Sequence, residues 1–342
     1  MPEKTPLLQL SHVDMVFEKP GGLCKQPQKI PVLLDANLEI YPTEVLALVG
    51  ESGGGKTTVG NLVTSILTPS AGTMYFNGKD VHKMNRRAFR EYRNSVQLVQ
   101  QDSYASFNPV KLISSSLVSP MLQRGVVRTR REAYERAREM LRIVGLTPEA
   151  LYLDKYPHQL SGGQRQRLLL ARAIAMKPKL IVADEPVSMI DVSLRISILN
   201  LMAELNRTLG IAFLYITHDF ATAKYIAHGG RIAVMYLGKI VESGPVREVV
   251  RTPRHPYLQA LLTAVPVPDP TVAKKKRPLP LKSMEMPSVT HPPDGCRFHP
   301  RCPYATERCA SEEPVTRRIG NSLVCCHRAE ELPPWDLYEQ LR

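Results

Sequence analysis

A chain of 342 residues with 43% hydrophobic side chains can bury a large core and make more than one domain. It holds no apolar run near the roughly 20 residues of a spanning helix, and Met1-Pro2-Glu3-Lys4-Thr5-Pro6 lacks the basic and apolar regions of a signal peptide. The expectation is therefore a protein of the cytosol, or one that docks on a membrane from the cytosol. A net charge of +13 suits nucleotides, acidic membranes or nucleic acid and does not choose among them.

Residues 7–17 and 32–40 alternate as strands, separated by a loop that contains Pro20-Gly21-Gly22 and residues 25–31. Next comes Val45-Leu46-Ala47-Leu48-Val49, a short apolar run that reads as a buried strand. Gly50-Glu51-Ser52-Gly53-Gly54-Gly55-Lys56-Thr57 follows and fits G-x-x-x-x-G-K-[ST] at every fixed position. A helix is predicted over 58–67, with Val59, Leu62, Val63 and Leu67 at helical spacing. Strand, glycine loop and helix together make a phosphate site. Glycines let several N–H groups converge on one anion, and the helix N-terminus adds donors and partial positive charge. Lys56 can reach β- and γ-phosphates, and the Thr57 hydroxyl can ligate Mg²⁺. The two earlier strands predict a β-rich region on one side of the nucleotide, where Phe17 could stack on a base or simply pack.

A strand over 72–76 ends in the turn Asn77-Gly78, a basic helix covers 86–93, and a strand covers 96–99. The loop Gln100-Gln101-Asp102-Ser103-Tyr104-Ala105-Ser106-Phe107-Asn108-Pro109 leads into a helical stretch over about 112–160. There Thr129 and Glu132 make a capping box, and Ala133, Ala137, Met140, Leu141 and Val144 form one apolar stripe that Gly145 and Pro148 end. Leu160-Ser161-Gly162-Gly163-Gln164-Arg165-Gln166-Arg167 is a second glycine-loosened helix start, capped by Ser161 and again suited to an anion. The apolar strand over 180–183 runs into Asp184-Glu185-Pro186, which places two carboxylates at a strand's carboxyl edge, where parallel sheets bind ligands. A helix over 188–205, a strand over 211–216 ending in Thr217-His218-Asp219, and a hairpin about Leu237-Gly238 complete this region.

After about Val265 the composition changes, and the last 77 residues hold 13 of the 29 prolines. Lys274-Lys275-Lys276-Arg277 reads as a solvated linker. No internal repeat is visible, so the chain carries one ATPase unit. Cys24 stands alone, whereas Cys296, Cys302, Cys309, Cys325 and Cys326 crowd the end. In a cytosolic chain such a cluster points to a metal or cluster site before disulfides. The tight C-x₂₋₄-C pair of structural zinc is missing, and four thiolates can hold a [4Fe–4S] cluster; zinc and unligated thiols remain the alternatives.

The phosphate loop, the 160–164 segment, Asp184-Glu185 and His218, in this order, resemble the nucleotide-binding domain of ATP-binding cassette (ABC) proteins over about residues 7–265. The resemblance implies an α/β fold: a P-loop ABC ATPase domain with RecA-like core, β-subdomain and helical subdomain, then a small irregular cysteine-containing module. The expected division is 1–265, with the helical subdomain about 102–165, and 266–342. Tyr156-Pro157-His158-Gln159 before the signature, residues 104–109, His255-Pro256-Tyr257, and the Cys296–Pro303, Cys309 and Val324-Cys325-Cys326-His327 segments are similar to the oligopeptide/dipeptide importer branch.

The resemblance also assigns roles. Phe17 falls where an aromatic stacks on adenine, and Gly50, Ser52, Gly53, Gly55, Lys56, Thr57 and Thr58 wrap the phosphates. Gln101 senses Mg²⁺ and couples to membrane subunits. Asp184 supports Mg²⁺, Glu185 polarises the attacking water, and His218 holds the γ-phosphate. Ser161, Gly162, Gly163 and Gln164 close on ATP held by a second cassette, which Asp191 faces. Cys326, followed by His327 as in the branch, is the fourth cluster ligand beside Cys296, Cys302 and Cys309, with Cys325 its rival. Gln100, Asp102-Ser103 and Met189-Ile190 depart from the commonest branch residues, at loops that touch other subunits.

The implied protein is the ATP-hydrolysing subunit of a peptide importer, peripheral on the cytoplasmic face of the inner membrane. Its cofactors are ATP and Mg²⁺, with a [4Fe–4S] cluster as a candidate. Its partners are a second ATPase subunit, two permeases and an extracytoplasmic binding protein, with no nucleic acid. A soluble ABC ATPase acting on ribosomes or DNA, or a redox-sensing ATPase switch, are the alternative readings.

Overall fold

The computed structural model describes residues 5–19, 28–265, 279–332 and 335. Cys24, the prolines at 266–270 and the basic run at 274–277 lie outside the described residues.

Strands β1 (Leu8–Lys19) and β2 (Gln28–Ile40) pair antiparallel, then β3 (Val45–Val49) leads through the glycine loop into α1 (Lys56–Val63). The helix stops four residues before the predicted end. Ser65 adopts a left-handed backbone, its N–H bonds the Leu62 carbonyl and that of Ile66 bonds Asn61, which is the helix-ending pattern usually built on glycine. β4 (Ala71–Phe76) and β5 (Lys79–Asp80) complete a four-stranded antiparallel sheet in the order β2-β1-β4-β5. α2 (Arg86–Ser95) then enters β6 (Val96–Val99).

Four helices follow: α3 (Ile113–Gln123), α4 (Arg130–Ile143), α5 (Glu149–Leu153) and α6 (Gly162–Ala175). The Thr129–Glu132 capping box is made in both directions, and the whole α4 stripe is buried. β7 (Leu180–Asp184), α7 (Val192–Leu209), β8 (Ala212–Thr217), α8 (Phe220–Ile226), β9 (Arg231–Tyr236) and β10 (Lys239–Pro245) complete the central layer. Residues 188–191, predicted helical, instead make a turned segment before α7.

The principal sheet has the order β9-β3-β8-β7-β6 in its parallel part, with β10 antiparallel at one side. Alternation along the strands divides the core. Leu46, Leu48, Val182, Leu214 and Ile216 pack toward α1 and the antiparallel sheet, while Ala47, Val49, Ala183, Phe213 and Tyr215 pack toward the helical layer. The register sets Val49 beside Thr217 and Asp184 beside Ile216, so the strands end together along one carboxyl edge.

Helices α9 (Val246–Arg251) and α10 (Pro256–Ala264) follow β10. The cysteine-containing extension is mainly irregular, as its prolines predict, with a short α11 (Glu307–Ser311). It is also joined to the main sheet: β12 (Ser322–Val324), paired with β11 (Arg317–Ile319), adds to β10 at Glu242 and Ser243. Phe298 and Cys302 belong to the same buried core as the helical layer.

Candidate ATPase site

The glycine loop is built against the β9–β10 turn. A side chain on Gly50 would put its Cβ 2.1 Å from the Met235 carbonyl oxygen, and Gly55 has φ 97°, a left-handed conformation that places it against Leu33 and the Val32 carbonyl. The N–H of Gly238 donates to the Gly54 carbonyl at 2.9 Å. Lys56 is buried, and its ammonium donates to the carbonyls of Gly50 at 2.8 Å and Glu51 at 2.9 Å. Burial lowers its pKa, opposed by the charges of Glu185, Asp184 and Glu51. A cation with little water to shed, at a helix start, suits a polyphosphate.

The end of β7 supplies the carboxylates. Burial raises the Asp184 pKa, against the Thr57 hydroxyl and Lys56, which favour its charge. Asp184 Oδ1 is buried with no hydrogen-bond partner. An orphaned carboxylate oxygen beside a threonine hydroxyl is the donor chemistry of an Mg²⁺ site, so these residues fit the metal. Glu185 has φ 46°, uncommon for a residue with a side chain, and its N–H crosses to the Ile216 carbonyl at 2.9 Å. The turn carries its carboxylate to the end of β8, where Oε1 lies 2.7 Å from Nδ1 of the half-exposed His218. The sequence predicted both residues but not that they bond each other, because the contact depends on β7 and β8 being neighbours.

Lys56, Thr57, Asp184, Glu185 and His218 thus form one neighbourhood. Outside the glycine loop, the other candidates stand on different segments of the chain. Phe17 is partly exposed on β1, opposite Ile30, Gln101 is exposed just after β6, and Asp191 is exposed at the N-cap of α7 without a side-chain cap bond. Ser161 and Gln164 make a reciprocal capping box at the start of α6, which packs on α3, α4, α7 and β6, whereas α1 packs on β7 and β8. The buried Arg165 lies over the Tyr104 ring at 3.5 Å, and Arg172 donates to the Ser106 carbonyl at 2.6 Å, so α6 holds the loop that follows Gln101. In that loop Asp102 Oδ1 accepts from the N–H groups of Tyr104 and Ala105 at 2.8 and 3.0 Å.

Residues 33–188 match the ABC transporter family model, and residues 241–309 match that of the oligopeptide/dipeptide transporter C-terminal region. The chain is 41% identical over 317 residues to the di/tripeptide transport ATP-binding protein DppF of Pseudomonas aeruginosa, across 92% of this chain and 95% of that one. It belongs to the ABC transporter ATP-binding proteins of the oligopeptide/dipeptide branch.

A second branch member, the oligopeptide transport ATP-binding protein OppF of Escherichia coli, is 37% identical over 95% of this chain and 97% of its own. Among solved structures, a dimeric ATP-binding cassette in a post-hydrolysis state with ADP and Pi superposes with TM-score 0.60 at 26% identity, over 70% of this chain and 99% of that one. As an ABC ATPase, the chain binds ATP with Mg²⁺ and hydrolyses it. No helix among the described residues is long and apolar enough to cross a membrane.

In the branch-specific extension, Cys296, Cys302, Cys309 and Cys326 line one small cavity of about 10 Å³. Cys325 turns elsewhere, its thiol donating to the Pro314 carbonyl at 3.1 Å. Burial raises the Cys296 and Cys302 thiols to about 12 and Cys326 to about 11. Among the described residues no three His, Cys, Asp or Glu side chains converge as a single metal ion requires. The cavity has room for about one water and would have to widen to load a cluster.

Proposed function

We propose that this chain is the energising subunit of a peptide importer, peripheral on the cytoplasmic face of the inner membrane. It would work with a second cassette, two permeases and an extracytoplasmic binding protein. The observation that carries the ATPase half is the 2.7 Å bond between Glu185 and His218 beside Asp184. The match of residues 241–309 to the peptide-branch extension, with relatives named for peptide transport, supports the cargo class. We divide the chain at about residue 265 into cassette and extension, with the helical subdomain at about 102–165.

When bound, Mg²⁺ neutralises charge on the β- and γ-phosphates. Thr57 and Asp184 would hold it, with Gln101 completing the set. The loop from Gly50 to Thr58 positions the phosphates through its N–H groups and Lys56, and Phe17 covers the base. Glu185 orients the attacking water and accepts its proton. His218, oriented by the bond of its Nδ1 to Glu185, contacts the γ-phosphate through the other edge of its ring. Ser161, Gly162, Gly163 and Gln164 serve the nucleotide of the opposite cassette, which Asp191 faces. Cys296, Cys302, Cys309 and Cys326 are the proposed ligands of a [4Fe–4S] cluster. Iron and sulfide near four equivalents each in anaerobically purified protein are expected, and their absence would remove the cluster.

The importer reading is tested by a tagged pull-down from detergent-solubilised membranes with mass spectrometry. Two polytopic permeases and a second cassette are expected. Ribosomal or nucleic-acid partners without a permease would overturn transport.

A further inference from the structure

The extension reaches the ATP site through its cysteine-bearing segment. Residues 296–302 make a tight turn in which the N–H groups of Arg301 and Cys302 donate to the Phe298 carbonyl at 3.0 Å. Phe298 packs edge-on against Tyr236 at 5.2 Å and against Tyr257 at 5.5 Å. This aromatic support aims two arginines at the nucleotide edge. Arg297 donates to the Leu237 carbonyl, next to the Gly238 that bonds Gly54. Arg301, with a side chain only 5% exposed, grips Glu51 with both guanidinium ends, at 2.7 and 3.1 Å. The same Glu51 donates its N–H to the Tyr257 hydroxyl at 2.8 Å.

Glu51 is the only acidic residue within Gly50–Thr57. A bare carboxylate there would repel the phosphates that the loop must wrap. A bidentate guanidinium both cancels that charge and fixes the residue's orientation, which a lysine's point charge does less well. We propose that Arg301 is a positioning residue for nucleotide binding: it neutralises Glu51 and holds the phosphate loop, which makes the cysteine-bearing segment part of the ATP site's scaffold. The proposal rests on the loop being the nucleotide site and goes beyond the family roles given above.

The test is a double-mutant cycle on the full chain, read as the Kd for the non-hydrolysable analogue AMP-PNP with Mg²⁺. Arg301→Gln should weaken binding about tenfold. In a Glu51→Gln background the same change should matter less than about twofold, because no carboxylate remains to neutralise. Arg301→Lys should fall between wild type and Arg301→Gln. Hydrogen exchange supplies a second readout: by linkage, AMP-PNP should protect residues 296–302 in wild type and not in Arg301→Gln. An unchanged Kd for Arg301→Gln, or an equal loss in both backgrounds, would overturn the proposal. Failure of wild type to bind AMP-PNP would instead strike the assignment of the nucleotide site.

Discussion

Glu185 shows how one backbone choice sets the chemistry. Its left-handed φ turns the carboxylate off the end of β7 onto His218, so the proposed base and the proposed phosphate contact are ordered together. Glu185→Gln should lower ATP turnover about 10²- to 10⁴-fold while AMP-PNP affinity stays within a few-fold of wild type, checked by phosphate release and titration. Wild-type turnover in that variant would remove Glu185 as the base.

A second pair of groups makes a pH prediction. Glu242 is wholly buried on β10 and pushed up to about 7, although it accepts from the N–H groups of His255 and Arg254. His255 is buried and pushed down to about 3, with Nδ1 accepting from the Tyr257 N–H. The folded state therefore holds the Glu242 proton more tightly than the unfolded chain, and between pH 4.5 and 7 that contribution to stability is lost as pH rises. His255 acts oppositely: its contribution is lost as pH falls from 6.5 toward 3. Glu242→Gln keeps an acceptor for the two N–H groups and removes the titration. The variant should gain on wild type by up to about 1.4 kcal/mol per pH unit between pH 4.5 and 7, measured by denaturant unfolding.

At the scale of elements, the phosphate loop depends on the turn it leans against. Gly50→Ala would force its Cβ into the Met235 carbonyl, so β3 or β9 must move. It should abolish AMP-PNP binding and lower the thermal midpoint. The capping box of α4 is a milder case. Thr129→Ala frees the Glu132 N–H, which Thr129 Oγ1 accepts from at 3.2 Å, and should cost about 1 kcal/mol with an unchanged denaturant slope. Cap, stripe and stop residues are local, which is why α4 was legible in advance. The early end of α1 was not, because Ser65 takes a conformation for which glycine is the usual signal.

For the whole molecule, the proposal gives the signature at the start of α6 and the exposed Asp191 a second cassette to face. A tagged Glu185→Gln chain should therefore recover a second cassette, identical or homologous, in Mg-ATP and not in ADP. Equal recovery in both nucleotides would count against closure on ATP. The extension belongs to this scale too, since β12 continues the principal sheet and Arg301 reaches the phosphate loop.

The order of motifs along the chain was enough to indicate a P-loop ATPase of the ABC type and to name Lys56, Thr57, Asp184, Glu185 and His218. Each signal is local: a strand, a turn chemistry and a side chain within a few residues. Tertiary structure decided what those residues touch. The Glu185–His218 bond joins positions 33 apart through the pairing of β7 with β8, and the Arg301–Glu51 pair joins positions 250 apart. Cys326, and not Cys325, shares the cavity of the other three thiols because adjacent residues in extended chain point to opposite sides. Spacing cannot reveal such contacts, because they arise only when strands pair and the extension packs back on the core.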